Sequence, residues 1–309
     1  MRVLVTGAGG FIGTHLVETL AGRGDVVEAW VRSGSQFCPE LIAEVHSVDI
    51  TNYDTVFSHL KKFKPELIFH LAAQSYPTLS WEHPALTYQI NVCGILNLFE
   101  ALRALSYSPR ILVAGSSAEY ADWGSCSPLT EETPTRPNSP YGASKLAASH
   151  LVELYYQNYR FDVLRFRPFF IAGPRKTGDV CSDFARRVIA IERGRENIFR
   201  VGSLDIVRDI MDIRDAISGI LSIANVGGSG EIYNVCSGHG VQLSQIVETY
   251  QSLSKSIFKV TEDPILFRPL EQKVRIGCSR KLRALGWKQK FKLSDTLETI
   301  LDYWRRIEQ

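Results

Sequence analysis

Residues 3–13 read Val-Leu-Val-Thr-Gly-Ala-Gly-Gly-Phe-Ile-Gly, an apolar run that leads directly into a glycine-rich turn. The apolar run predicts a strand, and Ile12, Leu16 and Leu20 then recur at helical spacing. Between a strand and a helix, such glycines allow a tight turn and let the backbone approach a pyrophosphate. A purely structural turn is the alternative. This context favours a dinucleotide site, with candidate residues Gly7, Gly10, Phe11, Ile12 and Gly13.

The rest of the chain continues the alternation of strand and helix patterns. Strand-like runs occupy residues 26–31, 45–50, 67–73, 111–115 and 163–166, and helix-like patterns occupy 54–63, 84–105 and 139–159. This order predicts an α/β fold with a doubly wound parallel sheet. After Pro174 the pattern becomes irregular. We therefore predict a dinucleotide-binding domain over 1–174, whose sheet also receives segments from 205–240, and a smaller α/β substrate-binding part over 175–309.

Composition restricts the class of protein. Of 309 residues, 45% are hydrophobic, and 35 basic against 33 acidic side chains leave a formal charge of +2. This balance argues against disorder and against electrostatic binding of nucleic acid or membranes. The six cysteines are dispersed without a C-x-x-C pair, and the start of the chain lacks a signal-peptide pattern. We expect a cytoplasmic protein with a small-molecule partner, no metal site, and no nucleic acid or membrane partner.

The end of the second predicted strand bears on the choice of dinucleotide. The chain reads Trp30-Val31-Arg32-Ser33, without the acidic residue that hydrogen-bonds the ribose 2′-hydroxyl of NAD. A basic residue there can instead accept the 2′-phosphate of NADP. Arg32 therefore favours NADP, NAD stays possible, and a solvated surface arginine is the alternative.

A tyrosine and a lysine mark a candidate reaction site. Tyr141 and Lys145 are four residues apart, hence on one face of a helix, and the lysine cation favours the phenolate of the tyrosine. Ser116 and Ser117 follow the strand-like run 111–115, at the carboxyl end where they can hydrogen-bond a carbonyl group. A tyrosine and a lysine at this spacing are, by themselves, more often a pair on the surface of a helix. Together with the glycine turn, however, Tyr141 and Lys145 are better interpreted as part of an oxidoreductase site.

Together these motifs resemble the short-chain dehydrogenase/reductases, specifically the extended branch that acts on nucleotide sugars, over nearly the whole chain. The resemblance implies a Rossmann fold with Tyr141 as general acid–base. It implies that Lys145 lowers the pKa of that tyrosine and binds the nicotinamide ribose, and that Ser116 orients the carbonyl group. It also implies a homodimer through helices 84–105 and 139–159. Further cofactor contacts implied by matching positions are Asp49, Ile50, Leu71, Ala72, Ala73, Asn91 and Pro168.

The resemblance also implies a substrate class. Arg208 and Arg268 resemble arginines that bind the diphosphate of a sugar nucleotide, with surface ion pairs as the alternative. Ser75 and Ser117 join them as candidate substrate-binding residues. Phe170 stands where the family usually has asparagine, and Ala121 where it usually has glycine, so these departures leave the sugar open.

Within this branch the chain looks most like GDP-mannose 4,6-dehydratases and GDP-4-keto-6-deoxymannose reductases. The dehydratases carry an additional carboxylate where this chain has Ala118, and Glu119 is displaced by one position. This favours NADPH-dependent reduction of the C4 keto group of a GDP-4-keto-6-deoxyhexose to GDP-rhamnose or its C4 epimer. The alternatives are a 4-epimerase or 4,6-dehydratase that retains NAD(P), and a non-catalytic dinucleotide-binding regulator.

Overall fold

The computed structural model describes residues 1–34, 43–120, 128–266 and 273–308 of the chain. The strands are β1 Arg2–Thr6, β2 Val26–Val31, β3 Glu44–Ser47, β4 Leu67–His70, β5 Arg110–Ala114, β6 Val163–Pro168, β7 Phe170–Ala172, β8 Ile198–Val201, β9 Val207–Asp212, β10 Ile232–Val235, β11 Gly240–Gln242, β12 Lys259–Glu262 and β13 Val274–Arg275. The helices are α1 Phe11–Gly22, α2 Tyr53–Phe63, α3 Pro77–Glu82, α4 Pro84–Tyr88, α5 Gly94–Ala104, α6 Pro140–Tyr159, α7 Val180–Glu192, α8 Ile213–Val226, α9 Leu243–Leu253, α10 Arg280–Ala284 and α11 Leu293–Ile307.

Seven parallel strands form the main sheet, in the order β10-β6-β5-β4-β1-β2-β3. The order reverses between β1 and β4, and in sheets of this kind ligands bind outside the carboxyl ends of the strands at that point. The predicted doubly wound parallel sheet is confirmed. None of the helices in the described ranges is long and apolar enough to cross a membrane.

Helices cover both faces of this sheet because each turns an apolar stripe toward it. On one face α1 and α8 bury side chains such as Leu16 and Ile220. On the other face α2, α5 and α6 bury side chains such as Leu60 and Phe99. Burial of this apolar surface, at about 25 cal/mol per Å², is the main favourable contribution to folding of the domain.

The C-terminal part forms a second sheet beyond the carboxyl edge of the first. β7 begins two residues after β6 ends, and β9 pairs with β7 on one side of a sheet that also contains β11 and β13. Helices α7, α9 and α11 enclose a separate core around Phe184, Tyr250 and Trp304. β10 returns to the main sheet and pairs with β6. The domain boundary at residue 174 stays a prediction.

One predicted helix contains a π turn. The prediction of a helix over residues 84–105 is confirmed over 84–104, and within it a π-helical turn, Gln89–Cys93, lies between α4 and α5. A π turn inserts one extra residue into the helix, and such turns occur frequently at functional sites. Here it contains the buried Asn91. The strands predicted over 45–50 and 67–73 also end earlier, at Ser47 and His70.

Candidate active site

The glycine turn between β1 and α1 lies against the loop that follows β4. Gly7 has a φ of +68°, and a Cβ atom at this position would lie 2.6 Å from the backbone nitrogen of Ala72. A Cβ atom on Gly13 would lie 2.4 Å from the carbonyl oxygen of Gly7. Gly10 is the N-cap residue of α1 and offers no side chain to its first turn. The N–H groups of that turn, including those of Phe11 and Ile12, suit the diphosphate of a dinucleotide.

Three further predicted cofactor residues lie after β2 and β3. Arg32 directly follows β2 and is exposed. Asp49 is also exposed, and its Oδ1 accepts hydrogen bonds from the Thr51 N–H at 2.9 Å and the Thr51 hydroxyl at 2.7 Å. Ile50 is buried, and a Cβ atom on Gly94 would lie 2.8 Å from its side chain. The cofactor roles of these residues stay predictions.

The loop after β4 is fastened to β1. The Ala72 N–H donates to the Thr6 hydroxyl at 3.2 Å, and the same hydroxyl hydrogen-bonds His70 Nδ1 at 3.0 Å. Burial, helped by the charge of Lys145, lowers the pKa of His70 to about 3, so this imidazole is neutral at physiological pH. Leu71, Ala72 and Ala73 are half-buried beside the glycine turn, and Ser75 is exposed.

Asn91 joins this loop to α6. Its Oδ1 accepts from the Gln74 N–H at 2.8 Å, and its Nδ2 donates to the Gln74 carbonyl at 3.1 Å and to the Ser144 hydroxyl at 2.9 Å. The Ser144 hydroxyl in turn donates to the Tyr141 carbonyl at 2.7 Å. These contacts use both amide hydrogens of Asn91, so they support a positioning role. The predicted cofactor contact is not tested by them.

Ser116, Tyr141 and Lys145 come together at the carboxyl end of β5. The Ser116 hydroxyl is close enough to the Tyr141 phenol to exert a lowering effect on its pKa, and Lys145 Nζ donates to the Ala114 carbonyl at 2.8 Å. The Ser116 hydroxyl also accepts from the Ala118 N–H at 3.0 Å. All three side chains are buried, as is Ser117. The helix spacing therefore places a phenol, a hydroxyl and an ammonium group in one site.

Burial sets the protonation of this site. It raises the pKa of Tyr141 to about 12, against a smaller lowering effect from Ser116. It also lowers the pKa of Lys145 to about 8, which the charge of Glu119 partly opposes. The sequence led us to expect a lowered pKa for the tyrosine, but desolvation of a phenolate outweighs the neighbouring dipoles here. At neutral pH the tyrosine is a phenol and the lysine is mainly charged.

Glu119 turns away from the reaction site. Its side chain is fully buried, Oε1 accepts from the Ser116 N–H at 2.8 Å, and Oε2 accepts from Arg167 Nε at 2.8 Å. A Cβ atom on Gly115 would lie 2.4 Å from this carboxylate. Glu119 thus fixes the turn that carries Ser116 and has both oxygens engaged within the protein. Ala118, which has no acid–base group, stands at the position of the additional carboxylate of the dehydratases.

Sequence reasoning missed several supporting side chains. The buried Ser80 accepts the Tyr141 N–H at 3.1 Å, and the Tyr120 hydroxyl donates to Asn234 Oδ1 at 2.7 Å. The Arg167 guanidinium stacks 4.5 Å from the centre of the Tyr120 ring. No local motif marks Ser80, because it approaches the site only after folding. Asn234 stands in the stretch 233–238, which matches the family pattern but indicates no role for its amide. The two arginines inside the apolar run of β6, Arg165 and Arg167, were a further signal.

The predicted substrate-binding residues are only partly described. Arg208 lies on β9 in register with Arg275 of β13, and its Nη1 donates to the Val207 carbonyl at 2.9 Å. Because β9 and β13 are parallel and in register here, Arg208 and Arg275 lie on the same face of this sheet. Pro168 ends β6 and pairs with Val235. Arg268 lies outside the described residues, as does Ala121.

Phe170, where the family pattern has asparagine, contacts a lysine. Lys176 Nζ lies 4.2 Å from the centre of the Phe170 ring and 5.5 Å from that of Phe11, and it donates to the Ile171 carbonyl at 2.5 Å. An ammonium ion over aromatic rings gains favourable cation–π energy. The Lys176 ammonium group therefore lies next to Phe170, the position at which the family pattern has an asparagine amide.

The chain is similar to known proteins over nearly its whole length. Residues 4–300 match the family model described as GDP-mannose 4,6 dehydratase. GDP-6-deoxy-D-mannose reductase of Pseudomonas aeruginosa is 32% identical over 307 residues, covering 98% of this chain and 97% of that protein. The structure of RMD from Pseudomonas aeruginosa complexed with NADPH superposes with a TM-score of 0.85 at 30% identity, and 99% of each chain is covered. Thermus thermophilus UDP-glucose 4-epimerase in complex with NAD gives a TM-score of 0.87 at 29% identity, again over 99% of each chain.

Proposed function

Because the chain belongs to the GDP-mannose 4,6 dehydratase family, among the NAD(P)-dependent extended short-chain dehydrogenase/reductases, we propose that it reduces the C4 keto group of a GDP-4-keto-6-deoxyhexose with NADPH. The product is GDP-rhamnose or its C4 epimer. Similarity to a GDP-sugar reductase along almost the whole chain supports this choice of substrate class.

The observation that carries the proposal is the orientation of Glu119. A 4,6-dehydratase must remove and return protons on sugar carbons, which requires an acid–base group that reaches the substrate. Glu119 is instead paired with Arg167 and the Ser116 N–H, and Ala118 has no such group. Ser116, Tyr141 and Lys145 remain as the set that a simple carbonyl reduction needs.

The residues around the glycine turn fit the cofactor. When bound, NADPH supplies the hydride for the reaction. Gly7 keeps the turn free of side-chain atoms where it meets Ala72, and the first turn of α1 presents N–H groups to the diphosphate. Arg32, exposed at the end of β2, would pair with the 2′-phosphate. Asp49 would hold the adenosine part, and Ala73 would hold the nicotinamide part.

Tyr141 acts as the general acid. Its pKa of about 12 keeps the phenol protonated at neutral pH, the form that can donate a proton to the oxygen at C4. The Lys145 cation then stabilises the phenolate that remains. Ser116 donates a hydrogen bond to the same oxygen, and a hydrogen-bond pair preorganised in a buried site accounts for much of the rate acceleration.

Arginines and hydroxyls bind the substrate. Arg208, together with Arg268, pairs with the diphosphate of the sugar nucleotide, because a planar guanidinium matches phosphate oxygens in bidentate geometry. Ser75 and Ser117 hydrogen-bond the sugar from the loop after β4 and the turn after β5. The sugar hydroxyls thereby orient C4 toward Tyr141.

The proposal is tested with GDP-4-keto-6-deoxymannose. We expect rapid oxidation of NADPH, slower oxidation of NADH, and a single reduced sugar nucleotide by NMR. Tyr141→Phe should abolish turnover while leaving NADPH binding intact. Consumption of GDP-mannose or UDP-glucose without net oxidation, with nucleotide retained through purification, would instead establish a dehydratase or an epimerase. Turnover unchanged in Tyr141→Phe would refute the assigned acid.

We also propose a homodimer through α4, α5 and α6, the helices of the predicted ranges 84–105 and 139–159. Several large apolar side chains on α4, α5 and α6 are exposed, and they would be covered in a helical interface; they are Leu86, Tyr88, Leu96, Leu154 and Tyr159. Exposed apolar patches of this kind commonly mark an interaction surface. Light scattering at micromolar concentration should give twice the mass of one chain.

A further inference from the structure

Two histidines and a glutamate meet at the edge of the main sheet, outside the candidate active site. Glu28 lies on β2, His46 on β3 and His59 on α2. His59 Nδ1 is 3.5 Å from Glu28 Oε1, and His46 Nε2 is 3.9 Å from Glu28 Oε2. The centres of the two imidazole rings are 4.7 Å apart. One ligand atom from each of the three residues thus lies within 4.8 Å of the others.

The cluster has a buried floor and an open side. Glu28 is only 4% exposed, and the Trp30 indole N–H donates to its Oε1 at 2.7 Å. The Trp30 ring also packs edge-on against His59, with ring centres 5.7 Å apart. Both histidine side chains are 24% exposed, so an ion can enter from solvent. The carboxylate is therefore held in place while the imidazoles remain accessible.

We propose that Glu28, His46 and His59 bind a divalent transition metal ion of the zinc type. Imidazole nitrogens and a carboxylate oxygen are ligands that zinc prefers. Tetrahedral bonds of about 2.0–2.1 Å place ligand atoms roughly 3.4 Å apart. The two imidazole nitrogens lie 3.5 and 3.9 Å from different oxygens of Glu28, and the three ligand atoms lie within 4.8 Å of one another, so side-chain rotation has to bring them closer together around an ion. A carboxylate with only 4% of its residue exposed lies between the two imidazoles, so the three ligand groups face one another across a small space.

A fourth ligand is available on the same strand. Glu44 Oε1 lies 3.1 Å from His46 Nε2, and the Glu44 side chain is 61% exposed and so able to turn toward an ion. Water fills the same position if Glu44 stays in solvent. The donor set is then two nitrogens and one or two carboxylates.

The spacing of these residues along the chain hid the site. We predicted no metal from the sequence because cysteines and histidines are not grouped in it. His46 and His59 are separated by the start of α2, and Glu28 lies on the preceding strand. Parallel pairing of β2 with β3, which opposes Trp30 to His46, brings the three together.

The position suggests a structural role for the ion. β3 is the edge strand, and four strand spacings of about 4.8 Å place it roughly 19 Å from β5, the strand that precedes Ser116. An ion here would fasten β3 to β2 and α2. It would also steady the segment that leads from His46 to Asp49, the predicted adenosine contact. Binding can thus be tested without reference to catalysis.

The test uses untagged protein treated with a chelator and then dialysed against zinc or cobalt. We expect one ion per chain, a rise in unfolding temperature, and visible Co²⁺ absorption bands typical of a low-coordinate nitrogen and oxygen site. His46→Gln and His59→Gln should each weaken binding by roughly tenfold or more, since even supporting residues contribute that much. His150→Gln, which changes an exposed histidine on α6, is the matched control.

Two results would overturn the proposal. One is the binding of less than one ion per chain by the protein without substitutions at micromolar metal concentration. The other is equal affinity in His46→Gln, His59→Gln and the control, which would mean adventitious surface binding only. Circular dichroism of each variant checks that loss of binding does not come from loss of the fold.

Discussion

Replacement of Glu119 by glutamine should destabilise the protein strongly. The variant keeps an oxygen for the Ser116 N–H but places an amide opposite Arg167 Nε, where the native contact is an ion pair of 2.8 Å. The two side chains are 0% and 6% exposed, and Arg167 Nη1 already lacks a hydrogen-bond partner among the described residues. The guanidinium would therefore remain buried with its charge uncompensated.

The size of the effect follows from this burial. Removing one partner of a buried ion pair typically costs about 3–5 kcal/mol. For a chain of 309 residues, whose unfolding entropy is about 0.65 kcal/mol/K, that corresponds to a fall in unfolding temperature of roughly 5–8 °C. The stacking of Arg167 on Tyr120 remains and returns part of the loss, which favours the lower end of the range. Thermal and urea unfolding followed by circular dichroism measure it.

A surface ion pair provides the control. Glu18 contacts Arg175 at the same 2.8 Å, but their side chains are 38% and 32% exposed. Glu18→Gln should change stability by about 0–1 kcal/mol, as exposed pairs do. If Glu119→Gln unfolds at the same temperature as Glu18→Gln, burial is not what makes the Glu119 contact important. If Glu119→Gln is stable and loses only a dehydration activity, the carboxylate reaches the substrate and the proposed reduction is wrong.

Three further outcomes are expected. Gly7→Ala should weaken NADPH binding, measured by cofactor fluorescence, and lower the stability of the protein. The reason is that its Cβ would lie 2.6 Å from the backbone of Ala72 at a φ of +68°. Unchanged binding would contradict the proposed role of the glycine turn in holding the cofactor. Reduction should slow as pH rises through about 8, since Lys145 has a lowered pKa and loses its charge there. A rate profile without an inflection near pH 8, or an inflection that persists in Lys145→Met, would show that Lys145 is not the group whose charge the reaction needs. Leu154→Asp should shift the mass seen in light scattering from dimer to monomer, because this 51% exposed side chain lies on α6; an unchanged dimer would place the interface elsewhere.

The sequence predicted the features that depend on local periodicity. The apolar run and glycines at residues 3–13 specify a strand, a turn and a helix, and the structure has them at β1 and α1. The meeting of Tyr141 and Lys145 with Ser116 could also be predicted, because both the helix spacing and the end of the strand can be recognised in the sequence. The parallel sheet follows from the alternation of such elements.

Features that depend on side-chain orientation were not predictable in this way. Glu119 stands one position away from the additional carboxylate of the dehydratases, so the sequence left open whether its side chain reaches the substrate. Only its burial against Arg167 shows that the side chain points inward. The π turn at Gln89–Cys93 contains Asn91, whose hydrogen bonds go to Gln74 and Ser144, residues that are distant along the chain. Periodicity cannot report such contacts.

The return of β10 to the main sheet has a consequence during synthesis of the chain. β6 ends at Pro168, but its partner β10 begins only at Ile232, after β7, α7, β8, β9 and α8. While the ribosome adds the intervening residues, β6 is an unpaired edge of a buried parallel sheet, and such edges invite pairing with other chains. At about 5–20 residues per second this interval lasts several seconds. Chaperone demand during synthesis should therefore be concentrated between the emergence of β6 and that of β10.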